Sequence, residues 1–399
     1  MAKPKLALIP AAQGTKLYSV LPSDGSGDFT FTRGSVATRI NAQGLIENVA
    51  SGQSRLDYPL IDGVQKGCPH HILEPTRTNL LSYSSELNIG TSGTASVSSN
   101  TTISPDGALN ADTLGVGYLS KSVSAAANTY TLSVFVKVEV SSTASIYIYD
   151  GTYYSGTYDL TTGISTGVGT SMVNYGNGWW RCIITQAIAS TISEIGFNSG
   201  QVYGYGLQLE QGSYATSYIP TSGNAVTRVA ETANGAGNST TFNSEQGVLM
   251  VETKGENDAT FNYISIGDGG TSNYAGILYT DNDNEITYRY YVGGSGVQII
   301  LNGINVTNFN KIAVKWKEND FAIWINGFEL GTSSSGSLNP SGTFNQLAFA
   351  RGGSNNTPFY GKTKQIQVFD SALADTQLEQ LTSWQSFRDM ANGQLYTIE

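Results

Sequence analysis

The chain has 399 residues, enough for two or three domains of ordinary size, and a formal net charge of −10 at pH 7. Only 13% of its residues are Asp, Glu, Lys or Arg, and the sequence has no cluster of Lys and Arg beyond the one in Met1 to Lys5. A nucleic acid is therefore not expected as a partner. No stretch approaches the ~18 consecutive apolar residues of a membrane span, so we expect no such span.

Gly (46 residues) and Tyr (23 residues), together with Ser, Thr and Asn, replace the missing charged residues. This composition disfavours long exposed helices and suits strands joined by tight turns. The apolar stretch Leu6 to Ala12 is short and contains Pro10, so it does not predict a secretory signal. We therefore expect an all-β protein that is made in a cytoplasm and stays soluble.

Residues 1–80 consist of short extended pieces separated by turn signals such as Ser23-Asp24-Gly25. Such pieces do not easily bury a core by themselves. We therefore predict an N-terminal docking segment that lies along another subunit or packs against the next domain.

Cys68 and Cys182 are the only cysteines, and we expect two free thiols, although a disulfide between them stays open. His70 and His71 follow Cys68 closely. Structural zinc needs four ligands, so we interpret this group as a pair of loop histidines and not as a zinc site.

Residues 81–232 show strand alternation followed by turns. Tyr130, Leu132 and Val134 alternate with Thr131 and Ser133, and Asp-Gly at 150–151 predicts a hairpin turn. Many short strands at regular spacing favour an antiparallel sandwich or jelly roll. The polar, Gly- and Asn-rich residues 233–241 resemble a linker.

Residues 242–399 repeat the strand pattern, with Asn-Gly and Gly-Gly turns, and end in one amphipathic helix. Ser371 is its candidate N-cap, and we expect the helix to cover an edge or end of the sandwich. The predicted fold is therefore all-β, with two antiparallel β-sandwich or jelly-roll domains in tandem, an extended N-terminal docking segment and one C-terminal helix.

Two stretches of the C-terminal block, Asn310 to Gly331 and Phe359 to Thr382, resemble the concanavalin A-like lectin/glucanase sandwich in its laminin-G-like form. The first is a strand, a charged turn and a strand that ends in Asn-Gly. The second is a last strand that runs into a helix. The resemblance implies a lectin-like domain.

The string Gly206 to Arg228, which contains TSYIPTSGNAVTR, resembles the end of a carbohydrate-module-like jelly roll in bacteriophage virion appendage proteins. The segments 34–50, 55–58 and 73–86 resemble the same proteins. This resemblance implies a fibre, spike or decoration protein of the virion, on head or tail, that docks to other virion proteins through its N-terminal segment. It also implies a homo-oligomer, with a trimer expected. The Thr-Arg pair occurs twice, as Thr38-Arg39 and as Thr227-Arg228. The repetition either reflects the same structural contact made twice or is a coincidence.

Adhesion to host surface glycans is expected to use exposed aromatic rings for stacking on sugars. The candidates lie in the predicted strands of both sandwiches, and each has the alternative of an ordinary core or surface position: Tyr153, Tyr154, Tyr158, Trp179, Tyr288 and Tyr290.

The stretch DNDNE contains the best candidates for a metal site, Asp281, Asp283 and Glu285. Their oxygen atoms suit calcium, which many lectins with the resembled fold bind. The alternative is an acidic hairpin tip that binds no metal.

Glucanases with the resembled fold cut with carboxylates spaced Glu-x-Asp-x-x-Glu, and this spacing is absent from the sequence. Two adjacent histidines offer little for a Ser-His-Asp triad. We therefore expect no enzymatic activity. A glycan depolymerase and a purely architectural virion component without glycan binding are the alternatives.

Overall fold

The computed structural model describes residues 2–88, 90–256, 261–282, 284–353, 357–384, 386 and 390. Its large sheets are antiparallel, and the described residues form one helix. The structure thus confirms the prediction of an all-β fold with antiparallel sandwiches.

The strands of the first 80 residues are short, as their frequent turn residues predict. They are β1 (Leu6–Gln13), β2 (Lys16–Leu21), β3 (Phe29–Thr32), β4 (Ala37–Ile40), β5 (Ile46–Val49), β6 (Leu56–Asp57), β7 (Leu60–Ile61), β8 (Val64–Gln65), β9 (His70–Leu73) and β10 (Arg77–Asn79).

The next strands build the first sandwich. They are β11 (Thr91–Gly93), β12 (Val97–Ile103), β13 (Leu109–Leu114), β14 (Gly117–Ala125), β15 (Thr129–Val138), β16 (Thr143–Tyr149), β17 (Tyr153–Asp159), β18 (Ile164–Thr166), β19 (Thr170–Gly176), β20 (Trp179–Ala187), β21 (Ile192–Ser199) and β22 (Val202–Gln211). A six-stranded sheet in the order β11-β14-β21-β16-β17-β18 packs on a second six-stranded sheet in the order β12-β13-β22-β15-β20-β19.

The remaining elements lie in the C-terminal part. They are β23 (Val226–Arg228), β24 (Thr232–Asn234), β25 (Gln246–Gly255), β26 (Asn262–Gly267), β27 (Tyr274–Tyr279), β28 (Glu285–Val292), β29 (Ser295–Asn302), β30 (Asn310–Lys317), β31 (Phe321–Ile325), β32 (Phe328–Ser333), β33 (Gln346–Ala348), β34 (Gly361–Phe369) and α1 (Asp375–Thr382).

The second sandwich contains strands from both ends of the chain. Its larger sheet has the order β24-β3-β2-β1-β34-β25-β30-β31-β32, with β9 and β6 attached beside β34, and it packs on the five-stranded sheet β29-β28-β27-β26-β33. Leu6 pairs with Val368, and Ala233 pairs with Phe31. The first sandwich therefore lies between two parts of the second in chain order, and the two are not a simple tandem.

Two predicted segments are corrected by this topology. Residues 1–80 do not form a separate docking segment, because their strands pair with the C-terminal half and bury Leu6, Leu8 and Phe29 in its core. Residues 233–241 are not a free linker, since Ala233 and Ala236 are fully buried there. Small apolar side chains between polar ones concealed this burial in the sequence.

Ser371 is not the N-cap of helix α1. The helix begins later, at Asp375. Ala374 precedes it, and the backbone N–H of Ala374 donates to the side-chain oxygen of Gln377. The helix packs its Leu378 and Leu381 on the outer surface of β25, β30 and β31, and so covers a sheet face where we expected an edge or end. No helix among the described residues is long and apolar enough to cross a bilayer.

A buried ion cluster joins the N-terminal segment to the residues after the first sandwich. The carboxylate of Glu231, with no exposed surface, accepts hydrogen bonds from Arg33 Nη1 at 2.7 Å and Arg55 Nε at 2.8 Å, and also contacts Arg55 Nη2. The backbone N–H of Glu74 donates to the same carboxylate at 2.9 Å. Burial disfavours the charged form of Arg55, but attraction to Glu231 and Glu74 outweighs it and raises the pKa of Arg55.

Glu74 extends the cluster to the TSYIPTSGNAVTR string. Its carboxylate lies 2.8 Å from Arg228 Nη1 and 2.7 Å from Arg55 Nη2, and it accepts hydrogen bonds from the N–H and hydroxyl of Ser217. Burial acts to raise the pKa of Glu74, but Arg228 and Arg55 outweigh it and lower the pKa to about 2. Ser217 and Arg228 thus connect the TSYIPTSGNAVTR string to the buried ion cluster.

The two Thr-Arg pairs have different structural roles. Arg228 is fully buried beside Glu74, whereas Arg39 lies at the surface, 3.2 Å from Glu47. Thr38 does contact the second motif, because its hydroxyl donates to the carbonyl of Tyr218 at 2.6 Å. The two Thr-Arg pairs therefore do not make the same structural contact twice.

Candidate functional site

Four of the six predicted stacking residues lie in the interior, which corrects the prediction for them. Tyr158, Tyr288 and Tyr290 have no exposed surface, and Trp179 is 2% exposed. Their polar atoms bond to backbone carbonyls: the Tyr158 hydroxyl donates to Ile183 and the Trp179 indole N–H donates to Ile103. A buried ring with a satisfied polar atom cannot stack on a sugar.

The other two candidates face opposite ways on β17. Tyr154 is partly buried and packs against the core of the first sandwich, while Tyr153 is 64% exposed. Neighbouring residues of a strand point to opposite faces, so only Tyr153 lies on the outer face of the sheet.

The pairing register places further tyrosines on this outer face. On β16, Tyr149 pairs with Tyr153 of β17 on one side and with Glu194 of β21 on the other. Tyr147, also on β16, pairs with Gly196 of β21, and Gly196 in turn pairs with Ser120 of β14. Ile146 and Ile148 alternate with these tyrosines and point into the core. We call this surface the tyrosine face; its members are Tyr118, Tyr147, Tyr149, Tyr153, Ser120 and Glu194.

The rings of the tyrosine face form one cluster. The ring centroid of Tyr153 lies 4.5 Å from that of Tyr149 and 5.3 Å from that of Tyr147. Tyr147 lies flat over Gly196, where an added Cβ would come within 2.1 Å of its ring. Only glycine therefore allows this ring to rest on the sheet.

Glu194 gives the tyrosine face a hydrogen-bonding group beside the rings. The Tyr147 hydroxyl donates to Glu194 Oε1 at 2.5 Å, and partial burial together with this carboxylate raises the pKa of Tyr147. Glu194 is half-buried and lies opposite Tyr149 in the strand register, so its second carboxylate oxygen lies on the same face as the exposed ring of Tyr153. An exposed aromatic ring next to a carboxylate and hydroxyls suits a sugar, which offers an apolar ring face and many hydroxyl donors.

Sequence reasoning named Tyr153 but missed Tyr147, Tyr149 and Glu194. The signal was present in SIYIYDG, where isoleucine and tyrosine alternate. The more apolar isoleucines mark the buried side, so the tyrosines face outward.

The candidate calcium residues lie at the hairpin between β27 and β28. Asp281 is exposed, Glu285 begins β28, and Asp283 lies outside the described residues. The Glu285 carboxylate accepts a hydrogen bond from Asn282 Nδ2 at 3.2 Å. Among the residues described, no three His, Cys, Asp or Glu side chains are grouped as a metal would need. The calcium site remains a sequence prediction.

The histidines and cysteines adopt positions that differ in part from expectation. Both cysteines are free thiols, as expected, with Cys68 exposed and Cys182 buried. His70 and His71 are not loop residues; they lie on the buried strand β9, which pairs with β34. Burial lowers the pKa of each histidine to about 4.

No family model matches the sequence, and no curated protein matches it significantly. Among solved structures, the carbohydrate-binding module CBM40 of the Ruminococcus gnavus IT-sialidase, bound to alpha2,3 sialyllactose, is 19% identical, with a TM-score of 0.31 over 35% of this chain and 83% of that chain.

Domain 4 of AbnA, a GH43 arabinanase from Geobacillus stearothermophilus in complex with arabinotriose, is 13% identical, with a TM-score of 0.32 over 43% of this chain and 82% of that one. Because the identities and TM-scores are this low, we infer nothing about function from these similarities.

Proposed function

We propose that this chain is a non-enzymatic glycan-binding protein whose tyrosine face holds the sugar. The observation that carries the proposal is the exposed ring of Tyr153, packed on the half-buried ring of Tyr149, which lies opposite Glu194. The rings offer a stacking surface, and the carboxylate accepts hydrogen bonds from sugar hydroxyls.

We further propose that the chain is a structural component of a bacteriophage virion, a fibre, spike or decoration protein that adheres to host surface glycans. This part rests on the motif resemblance of residues 34–50, 55–58, 73–86 and 206–228. Assembly as a homotrimer and contacts with other virion proteins belong to the same proposal. A purely architectural role and a depolymerase are the alternatives.

Tyr153→Ala is expected to weaken glycan binding about tenfold, because the most exposed stacking ring is removed. Binding is measured on an array of bacterial surface polysaccharides. Tyr18→Ala is the matched control, since Tyr18 is an exposed tyrosine on β2 of the other sandwich. Equal affinities of the Tyr153 and Tyr18 variants would exclude the tyrosine face as the binding surface.

A second experiment separates the adhesin from its alternatives. The purified chain is added to intact bacterial cells with and without a calcium chelator, and release of reducing sugar is followed in parallel. We expect binding without sugar release. Sugar release would establish the depolymerase, and no binding to any cell or glycan would favour the architectural role. Loss of binding with chelator would support calcium at Asp281 and Glu285.

A further inference from the structure

A cleft of about 370 Å³ lies between the two sandwiches, away from the tyrosine face. Tyr58 follows β6, Tyr175 lies on β19 and Tyr214 follows β22, while Lys254 and Lys362 line the cleft from β25 and β34. Pockets for small ligands typically measure about 300–1,000 Å³. The cleft is thus large enough for a small molecule.

Three half-buried tyrosines line the cleft, and neighbouring side chains position two of them. Tyr175 meets the ring of Phe135 edge-on, with centroids 4.8 Å apart. The Arg77 guanidinium lies 5.4 Å from the ring centroid of Tyr214. Positioned aromatic rings favour a ligand that has a ring of its own with an apolar face.

Most charged groups of the cleft wall already have partners within the protein. The Asp57 carboxylate accepts hydrogen bonds from Lys362 Nζ at 2.9 Å and from the Ile40 backbone N–H at 2.8 Å. The Arg181 guanidinium donates to the Thr216 carbonyl at 2.7 Å. Glu74 belongs to the buried ion cluster. These groups shape the wall but have little capacity left for a ligand.

Lys254 is different. Within the part of the chain that the structure describes, its Nζ atom makes no hydrogen bond or ion pair. Burial lowers the pKa of Lys254, and the charge of Glu256 opposes that shift only in part. Lys254 is half-buried in the cleft wall, so its ammonium group can donate a charge-assisted hydrogen bond to an anion that enters the cleft.

We propose that this cleft binds a sugar acid, a hydroxylated ring with one carboxylate, and that Lys254 Nζ donates to that carboxylate. The tyrosine rings contact the sugar ring. The cleft lining has four basic residues, Arg39, Arg181, Lys254 and Lys362, against the carboxylates of Asp57, Glu74 and Glu256, and one excess positive charge suits an anion that carries a single charge.

Calorimetric titration of the full chain with D-glucuronic acid tests the proposal, with D-glucose as the neutral counterpart. Saturable binding of glucuronate is expected, with glucose at least about tenfold weaker because it lacks the carboxylate. Lys254→Met is expected to weaken glucuronate binding by about tenfold or more, and Lys254→Arg to restore much of it. Lys317→Met, at the exposed end of β30, is the matched control.

Three results would overturn the proposal: no saturable binding of glucuronate by the wild type, equal binding of glucose, or unchanged affinity in Lys254→Met. Thermal unfolding of each variant distinguishes a lost contact from a lost fold. Tyr153→Ala is expected to bind glucuronate as the wild type does. The proposal for the cleft and the proposal for the tyrosine face are therefore tested independently.

Discussion

Replacing Glu231 by Gln is expected to lower the free energy of unfolding by about 3–5 kcal/mol, the cost of breaking a buried ion pair from one side. Glu231 is fully buried, and its carboxylate is the acidic partner of Arg33 and one of two for Arg55. The variant keeps the shape of the side chain but leaves two buried guanidinium groups undercompensated.

Urea denaturation measures this loss, with the fluorescence of Trp316 and Trp324 reporting on the second sandwich. Glu47→Gln provides the control, because it removes the same charge from an ion pair with Arg39 whose Glu47 side chain is 42% exposed. Exposed pairs contribute little, so this variant should change stability by less than about 1 kcal/mol. Equal losses in the two variants would contradict a central role for the buried cluster.

The strands and their turns could be predicted because each leaves a local pattern in the sequence. The pairing of Leu6 with Val368 could not, since contacts between distant segments leave no periodic signal. The buried cluster was equally hidden: Arg33, Arg55 and Glu231 are ordinary surface residue types, and only the fold brings them together.

The candidate site was predicted only in part because tyrosine suits both core and surface. Tyr288 and Tyr290 share a face of β28 with Ile286, and all three are buried. Tyr147 and Tyr149 share a face of β16 that alternates with the core-facing Ile146 and Ile148. Comparing each tyrosine with the isoleucine of its own strand would have separated the two groups.

The protein is expected to lose stability as the pH falls from 6.5 towards 4.5, because His70 and His71 are buried in their neutral form. Burial lowers both pKa values to about 4, from 6.5 in the unfolded chain. The unfolded state therefore binds protons first, and stability present above pH 6.5 is lost as the pH falls towards 4. Each histidine contributes up to about 3 kcal/mol to this loss.

The contacts of the two rings support this direction. His70 Nε2 lies 3.5 Å from Asp57 Oδ2, too far for a strong hydrogen bond, and Lys362 Nζ lies closer to that oxygen, at 2.9 Å. His71 Nε2 lies 3.4 Å from the carbonyl of Ile9, another weak contact. A proton on either ring would thus gain little inside the fold.

Urea midpoints at pH 7.0, 5.5 and 4.5 measure the effect, and His70→Gln and His71→Gln are each expected to flatten the pH dependence. These are the only two histidines, and no other side-chain type has its ordinary pKa between 5.5 and 7.0, so the change between these two pH values reports on them. Glu74, with its pKa lowered to about 2, contributes stability that is lost only below its ordinary pKa of 4.5. Midpoints that stay constant from pH 7.0 to 4.5 would mean that the histidines do not couple folding to protons. A decline that begins only below 4.5 would assign acid unfolding to the buried carboxylates instead.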